Sequence, residues 1–219
     1  SSEMFGNSID SDGYQRETTP MHPVSPYGCA KVYSYNIARN YRNAYGMYIS
    51  NGILFNHESP RRGTNFVTNK VCKEAVRIYL GLTDELRLGN LDATRDWGHA
   101  KDYVEAMWMI LQQDKPDDYA ISSGEEHSVK DFCNDVATYL GFEIEWRGEG
   151  LDEVGINKST GKTIIKVNKD FYRPAEVPTI FGDCTKAKTV LGWTPEYTFK
   201  DLVFDMCESE MRIQKNGNP

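Results

Sequence analysis

Ser25-Pro26-Tyr27-Gly28-Cys29-Ala30-Lys31 is the stretch around which the chain is organised. Ser25 reads as a helix N-cap and Pro26 as the first helical residue, where a missing N–H costs nothing. No Pro interrupts residues 27–45, and Gly46 suits the left-handed position just beyond a helix. Tyr27 and Lys31 are four apart and share one helical face. An ammonium beside a phenol favours the phenolate and lowers its pKa from about 10 toward neutrality, which makes Tyr a general base. With 13 tyrosines in the chain, about one Tyr-x-x-x-Lys pair is expected by chance. The surroundings therefore decide its meaning.

Downstream, residues 47–55 are mostly apolar and β-rich, as a strand buried on both faces of a parallel sheet would be. Helix followed by strand is half of an αβ repeat. That strand empties into a polar loop, residues 56–63, at a carboxyl end where open α/β sheets bind ligands. Apolar spacing predicts helices over 66–80, 100–113, 129–140 and 199–213. The stripe expected to be buried on the second of these is Val104, Met107, Trp108 and Leu111. Short strands are expected at 86–90, 119–123, 143–146 and 163–167, a loop at 95–99, a flexible loop at 148–161, and a helix at 186–191 capped by Asp183-Cys184-Thr185. Upstream, residues 7–26 are turn-rich and read as loop.

The 219 residues carry a net charge of −7 and a pI of about 5.2. That balance argues against a general nucleic-acid or membrane-binding surface, while leaving room for a local basic pocket. Five scattered cysteines without a C-x-x-C pair indicate reduced thiols of a cytoplasmic protein, and neither a disulfide framework nor a zinc site. No apolar run approaches the ~20 residues of a membrane span. The chain opens on Ser1-Ser2-Glu3 without a Met, as a piece of a longer protein would.

A hydroxyl (Ser1 or Ser2), a carboxylate (Glu3) and a Tyr–Lys pair are the parts needed to move protons around an alcohol and its neighbouring carbon. Taken by itself, Glu3 reads more readily as a solvated charge near a chain end. Arg61, Arg62, Arg95 and Arg173 each lie among Gly, Pro, Trp or Tyr. Arginines held in loops suit bidentate phosphate binding, with surface solvation as the alternative. His57 is either a cofactor contact or a satisfied loop histidine. His99 and His127 are read as structural, and no metal site is expected.

SSEMFG at 1–6, SPYGCAK at 25–31 and a strand ending in Asn56 resemble the extended short-chain dehydrogenase/reductase superfamily. Within it, NGILFNHESPRRG at 51–63, LGNLDATRDWGHAKDYVEAMW at 88–108 and YRPAEV at 172–177 resemble the GDP-mannose 4,6-dehydratase family. The resemblance runs through nearly the whole chain. It implies an α/β fold: the carboxy-terminal part of a Rossmann-type parallel sheet plus a smaller α/β substrate domain. Residues 1–60 would be the last strands and active-site helix of the dinucleotide-binding domain. Residues 61–213 would be mainly substrate domain with segments returning to the cofactor sheet, and 214–219 a frayed tail. The family's Gly-rich pyrophosphate loop has no counterpart here, and by analogy about a hundred residues would precede Ser1. The chain alone is expected to be inactive.

The same resemblance assigns roles. The family's active hydroxyl, usually Thr, falls on Ser1, its acid/base carboxylate on Glu3 and its base on Tyr27. Lys31 would hold the nicotinamide ribose. His57 and Arg62 match contacts to NADP, with Arg62 reaching a neighbour's cofactor across a homo-oligomer interface, dimer or tetramer. Asn56, Lys70, Arg95, Arg173 and Glu176 match positions that grip GDP-mannose. The alternatives are a dehydratase or epimerase acting on another nucleotide sugar, or a truncated binding module without catalysis. Partners among nucleic acids or membranes are not expected.

Overall fold

A computed structural model describes residues 1–171 and 181–217. Its elements in chain order are a 3₁₀ turn (Ser2–Met4), α1 (Pro26–Tyr45), β1 (Asn51–Leu54), β2 (Asn56–Glu58), α2 (Val67–Tyr79), β3 (Leu86–Leu88), β4 (Thr94–Arg95), β5 (Trp97–His99), α3 (Ala100–Leu111), β6 (Asp118–Ile121), β7 (His127–Ser128), α4 (Val129–Tyr139), β8 (Ile144–Arg147), β9 (Val154–Asn157), β10 (Thr163–Val167) and α5 (Phe199–Asn216). A π-turn spans Ala187–Leu191. The chain divides into two compact units: residues 1–57, 94–126 and 181–198, and residues 58–93, 127–171 and 199–217.

In the first unit β1 and β6 run parallel, Asn51 opposite Asp118 and Leu54 opposite Ile121. Alternate residues serve opposite faces. Ile53, Phe55 and Ala120 meet Tyr35 of α1 and Met4 and Phe5 of the 3₁₀ turn on one side. Tyr119 and Ile121 meet Tyr103, Ala106 and Ile110 of α3, with Ala187, Leu191 and Trp193, on the other. A parallel pair covered by helices on both faces is the doubly wound arrangement that the sequence led us to expect. Burying each large aliphatic or aromatic side chain of these clusters contributes about 1.5–3 kcal/mol.

Helix α1 begins and ends as read. Ser25 Oγ accepts the Gly28 N–H at 3.0 Å, and Gly46 closes the helix with φ of 63°. The face of α3 is a correction. Val104, Met107, Trp108 and Leu111 are exposed, and Tyr103, Ala106 and Ile110 are buried instead. Two segments read as loop also form strand: β2 lies within 56–63 and pairs with β5, which lies within 95–99. The strand expected from residue 47 starts at Asn51.

The second unit has a four-stranded sheet in the order β3-β10-β9-β8. β10 runs parallel to β3 and antiparallel to β9, and β9 is antiparallel to β8. Helices α2, α4 and α5 pack together beside it. β9 is a further correction, a strand inside the stretch read as a flexible loop. Its Gly155 is surrounded: a Cβ there would stand 3.1 Å from Ile144, Trp146 and Ile165 alike. Among the described residues no helix is long and apolar enough to cross a membrane, and all five cysteines are free of disulfides.

Candidate active site

The site is built where the 3₁₀ turn meets the first turn of α1, inside the first unit. Ser1 caps the 3₁₀ turn: its Oγ accepts the Glu3 N–H at 3.4 Å. Met4 and Phe5 anchor that turn in the core, which leaves Glu3 half-buried at the edge. Glu3 Oε2 lies 3.4 Å from Ser25 Oγ, so the carboxylate belongs to the same corner as the α1 cap. Gly28 permits this approach. A Cβ at that position would stand 2.7 Å from the Glu3 carbonyl oxygen and 2.9 Å from Pro23 Cβ.

Tyr27 is 54% exposed on that first turn. One turn along, the Lys31 ammonium sits 5.4 Å from the centroid of its ring, within cation–π range. The helical spacing read from the sequence thus brings phenol and ammonium to one exposed face, and the fold brings the Glu3 segment to the same turn.

The other candidates are distributed. Asn56 and His57 stand on β2, directly after β1. His57 Nδ1 bonds the Phe55 carbonyl at 2.8 Å, which makes Nδ1 the protonated nitrogen, and its ring stacks on Tyr103 at 4.8 Å. Arg95 donates to the Thr94 carbonyl at 2.6 Å. Its neighbour Asp96 is buried and accepts the Ser123 N–H at 2.8 Å, the Ser123 hydroxyl at 2.7 Å and the Gly124 N–H at 3.1 Å. Burial outweighs these donors and pushes the Asp96 carboxyl up to about 6.

Arg62 and Lys70 belong to the second unit. Arg62 Nε lies 3.0 Å from Glu58 Oε2, and the guanidinium lies 3.4 Å from the Phe66 ring centroid. Glu58 is buried, which raises its carboxyl, and it accepts the Thr68 hydroxyl at 2.6 Å. Lys70 Nζ stands 3.9 Å from the Phe171 ring centroid, and partial burial lowers its pKa. Arg173 and Glu176 lie outside the described residues. His99 caps α3 through Nδ1, accepting the Lys101 N–H at 3.1 Å, and His127 stacks on Phe199 at 3.7 Å. Among the described residues no three His, Cys, Asp or Glu side chains gather as a metal site.

Sequence reading took Ser25 as a helix cap only and gave Gly28 no role. The available signal was the overlap of the two motifs: a cap residue and a glycine on the turn that carries Tyr27.

Comparison with known proteins gives the chain a family. The model of a family described as GDP-mannose 4,6 dehydratase matches residues 1–206. The GDP-mannose 4,6 dehydratase of Drosophila melanogaster is 48% identical over 216 residues, covering 99% of this chain and 54% of the relative. That of Homo sapiens is 51% identical over 203 residues, 93% and 55% respectively. The chain therefore spans about half the length of the curated relatives it matches. Among solved structures, RMD from Pseudomonas aeruginosa, complexed with NADPH, superposes with a TM-score of 0.80 at 19% identity, over 96% of this chain and 64% of its own. The dTDP-glucose 4,6-dehydratase of Bacillus anthracis, in complex with NAD, gives 0.77 at 21%, over 99% and 60%. At such identities the likeness speaks for the fold. With a family model that covers residues 1–206 and relatives near 50% identity, the chain belongs to the GDP-mannose 4,6-dehydratase family.

Proposed function

We propose that this chain supplies the acid–base residues and part of the sugar-nucleotide site of an enzyme that converts GDP-mannose to GDP-4-keto-6-deoxymannose with NADP. The observation that carries the reading is the corner just described, where Glu3 is held at the cap of the helix turn that presents Tyr27, with Lys31 one turn along. The chain fits the nicotinamide end of the cofactor, because phenol and ammonium are exposed together and Lys31 can bond ribose hydroxyls while Tyr27 faces a substrate alcohol. When bound, the cofactor supplies the hydride acceptor and donor of an internal redox cycle.

The chain's own residues then move the protons. Tyr27 takes the proton of the mannose 4-hydroxyl as C4 is oxidised, and the Ser1 hydroxyl donates a hydrogen bond to O4. The C4 ketone acidifies the C5–H bond. Glu3 accepts that C5 proton and passes it to the departing 6-hydroxyl, which leaves as water. C6 is then reduced while a proton returns to C5 and Tyr27 gives up the one it took, so that the protons balance. A 4-epimerase, which only removes and returns hydrogen at C4, has no use for Glu3. Asn56, Arg95 and Lys70, with Arg173 and Glu176, are proposed to bind the GDP-sugar, and His57 and Arg62 the cofactor. Homo-oligomerisation and a cytoplasmic location belong to the same proposal.

The test is an assay of the full-length protein that contains this chain, with GDP-mannose, UDP-glucose and dTDP-glucose offered separately and products read by NMR. A 4-keto-6-deoxy product from GDP-mannose alone is expected. Turnover of either other sugar, or 4-epimerisation without loss of water, would overturn the assignment.

A further inference from the structure

We infer that Ser25 is a positioning residue for Glu3, coupling the acid/base carboxylate to the helix that carries Tyr27. The inference rests on the role proposed for Glu3 above. The Ser25 hydroxyl has one proton and two polar neighbours. Its oxygen accepts the Gly28 N–H at 3.0 Å, the capping bond of α1. With a backbone donor on its acceptor side, the proton is directed at Glu3 Oε2, 3.4 Å away. Anchoring Oε2 sets the direction in which the second carboxylate oxygen points. Gly28 makes the contact possible, since a Cβ there would meet the Glu3 carbonyl oxygen at 2.7 Å and Ser25 Oγ itself at 3.3 Å. Ser25 therefore joins two proton-transfer groups that come from separate segments, the 3₁₀ turn and α1, and each moves with the other.

A cap and a positioning group are separable chemically. Asp caps a helix as well as Ser does. An ionised Asp has no proton to give Glu3 and sets a like charge beside it. Thr keeps both the cap and the donor. The experiment compares Ser25→Thr, Ser25→Ala and Ser25→Asp in the holoenzyme, alone and combined with Glu3→Gln. It follows solvent deuterium entering C5 together with NADPH absorbance in a single turnover.

Ser25→Ala and Ser25→Asp are expected to slow C5 exchange by about tenfold, the scale of one hydrogen bond to a charged group. Hydride removal at C4 and the melting temperature of Ser25→Asp should stay near wild type. Ser25→Thr should recover C5 exchange to within about threefold of wild type, since it keeps the donor. In the Glu3→Gln background Ser25→Ala should add nothing, because its effect passes through Glu3.

C5 exchange at the wild-type rate in Ser25→Asp would overturn the inference and leave Ser25 a cap. So would an equal cost of Ser25→Ala with and without Glu3. If Ser25→Asp fails to fold, that comparison still decides. Full turnover in Glu3→Gln alone would instead overturn the role of Glu3, and the inference with it.

Discussion

Arg42 grips Asp118 with both ends of its guanidinium, Nη1 at 2.9 Å from Oδ1 and Nη2 at 3.1 Å from Oδ2. This ties the last turns of α1 to the first residue of β6. Tyr35 Oη at 3.0 Å and Asn51 Nδ2 at 2.8 Å also donate to the carboxylate, and Arg39 Nε lies 3.5 Å from Oδ2. Burial alone would raise the Asp118 carboxyl, but Arg42, Asn51 and Tyr35 together hold it below the ordinary carboxylate range. The helix whose first turn presents Tyr27 is therefore fixed to the sheet from its other end.

Asp118→Ala is expected to cost about 3 kcal/mol, because it strands Arg42, Tyr35 and Asn51 and removes the ion-pair partner of Arg39. The sign of the pH dependence follows from the lowered pKa. The contribution of Asp118 is present above its unfolded value of about 4 and is lost as pH falls through the folded one. Urea denaturation at pH 7 and pH 3 checks both statements: the gap between wild type and Asp118→Ala should narrow in acid.

Asp96 carries the opposite sign. Its folded pKa of about 6 lies above the unfolded value of about 4, so its contribution is full below pH 4 and is lost as pH rises through 6. Asp96→Asn does not titrate and serves as the reference. The stability of wild type relative to Asp96→Asn should fall by about 2 kcal/mol between pH 4.5 and 7.5. A constant difference in denaturation midpoints would rule this out.

The exposed stripe of α3 gives a contrast within one helix. In this chain Trp108→Lys should change stability by no more than about 0.5 kcal/mol, as for an exposed position. Ile110→Ala should cost about 2–5 kcal/mol, as for a core cavity. Thermal melts of the two variants decide it.

How much of this was legible depended on whether a local rule had one solution. α1 had one: Ser-Pro at its start and Gly46 after its end leave no other helix. α3 had two. Nine of its twelve residues are apolar (Ala100, Tyr103, Val104, Ala106, Met107, Trp108, Met109, Ile110 and Leu111), so a helical period fits either side, and only packing on Tyr119 and Ile121 selects the inner one. β9 hid because Val-Gly-Ile-Asn is weak strand sequence, rescued by pairing with a strand on each side. Ser1, Glu3, Tyr27 and Lys31 stood out in the sequence only as candidates, by residue type and by resemblance. The joint through Ser25 was not, since a contact 22 residues apart leaves no periodic trace.

Glu3→Gln in the full-length protein should lower turnover by about 10²–10⁴-fold with GDP-mannose affinity unchanged, because the proposed role of the carboxylate is at the C5 proton, after binding. Calorimetry with GDP-mannose and steady-state kinetics give the two numbers. Turnover within a few-fold of wild type would remove Glu3 from the mechanism.

Gly28→Ala and Gly46→Ala separate a close approach from a backbone conformation. At Gly46 the φ of 63° strains any side chain, yet nothing lies within 4 Å of the added Cβ. Gly46→Ala should therefore cost about 1 kcal/mol of stability and leave turnover per folded molecule intact. At Gly28 the helix itself would gain from Ala, by about 1 kcal/mol. The new methyl, however, meets the Glu3 carbonyl oxygen at 2.7 Å, a backbone atom that moves only with the whole 3₁₀ turn. Gly28→Ala should keep its helix by circular dichroism and lose C5 proton exchange by at least about tenfold, as misplaced groups do. Exchange at the wild-type rate in a folded Gly28→Ala protein would show that the corner between Glu3 and the start of α1 tolerates a wider gap than these contacts allow.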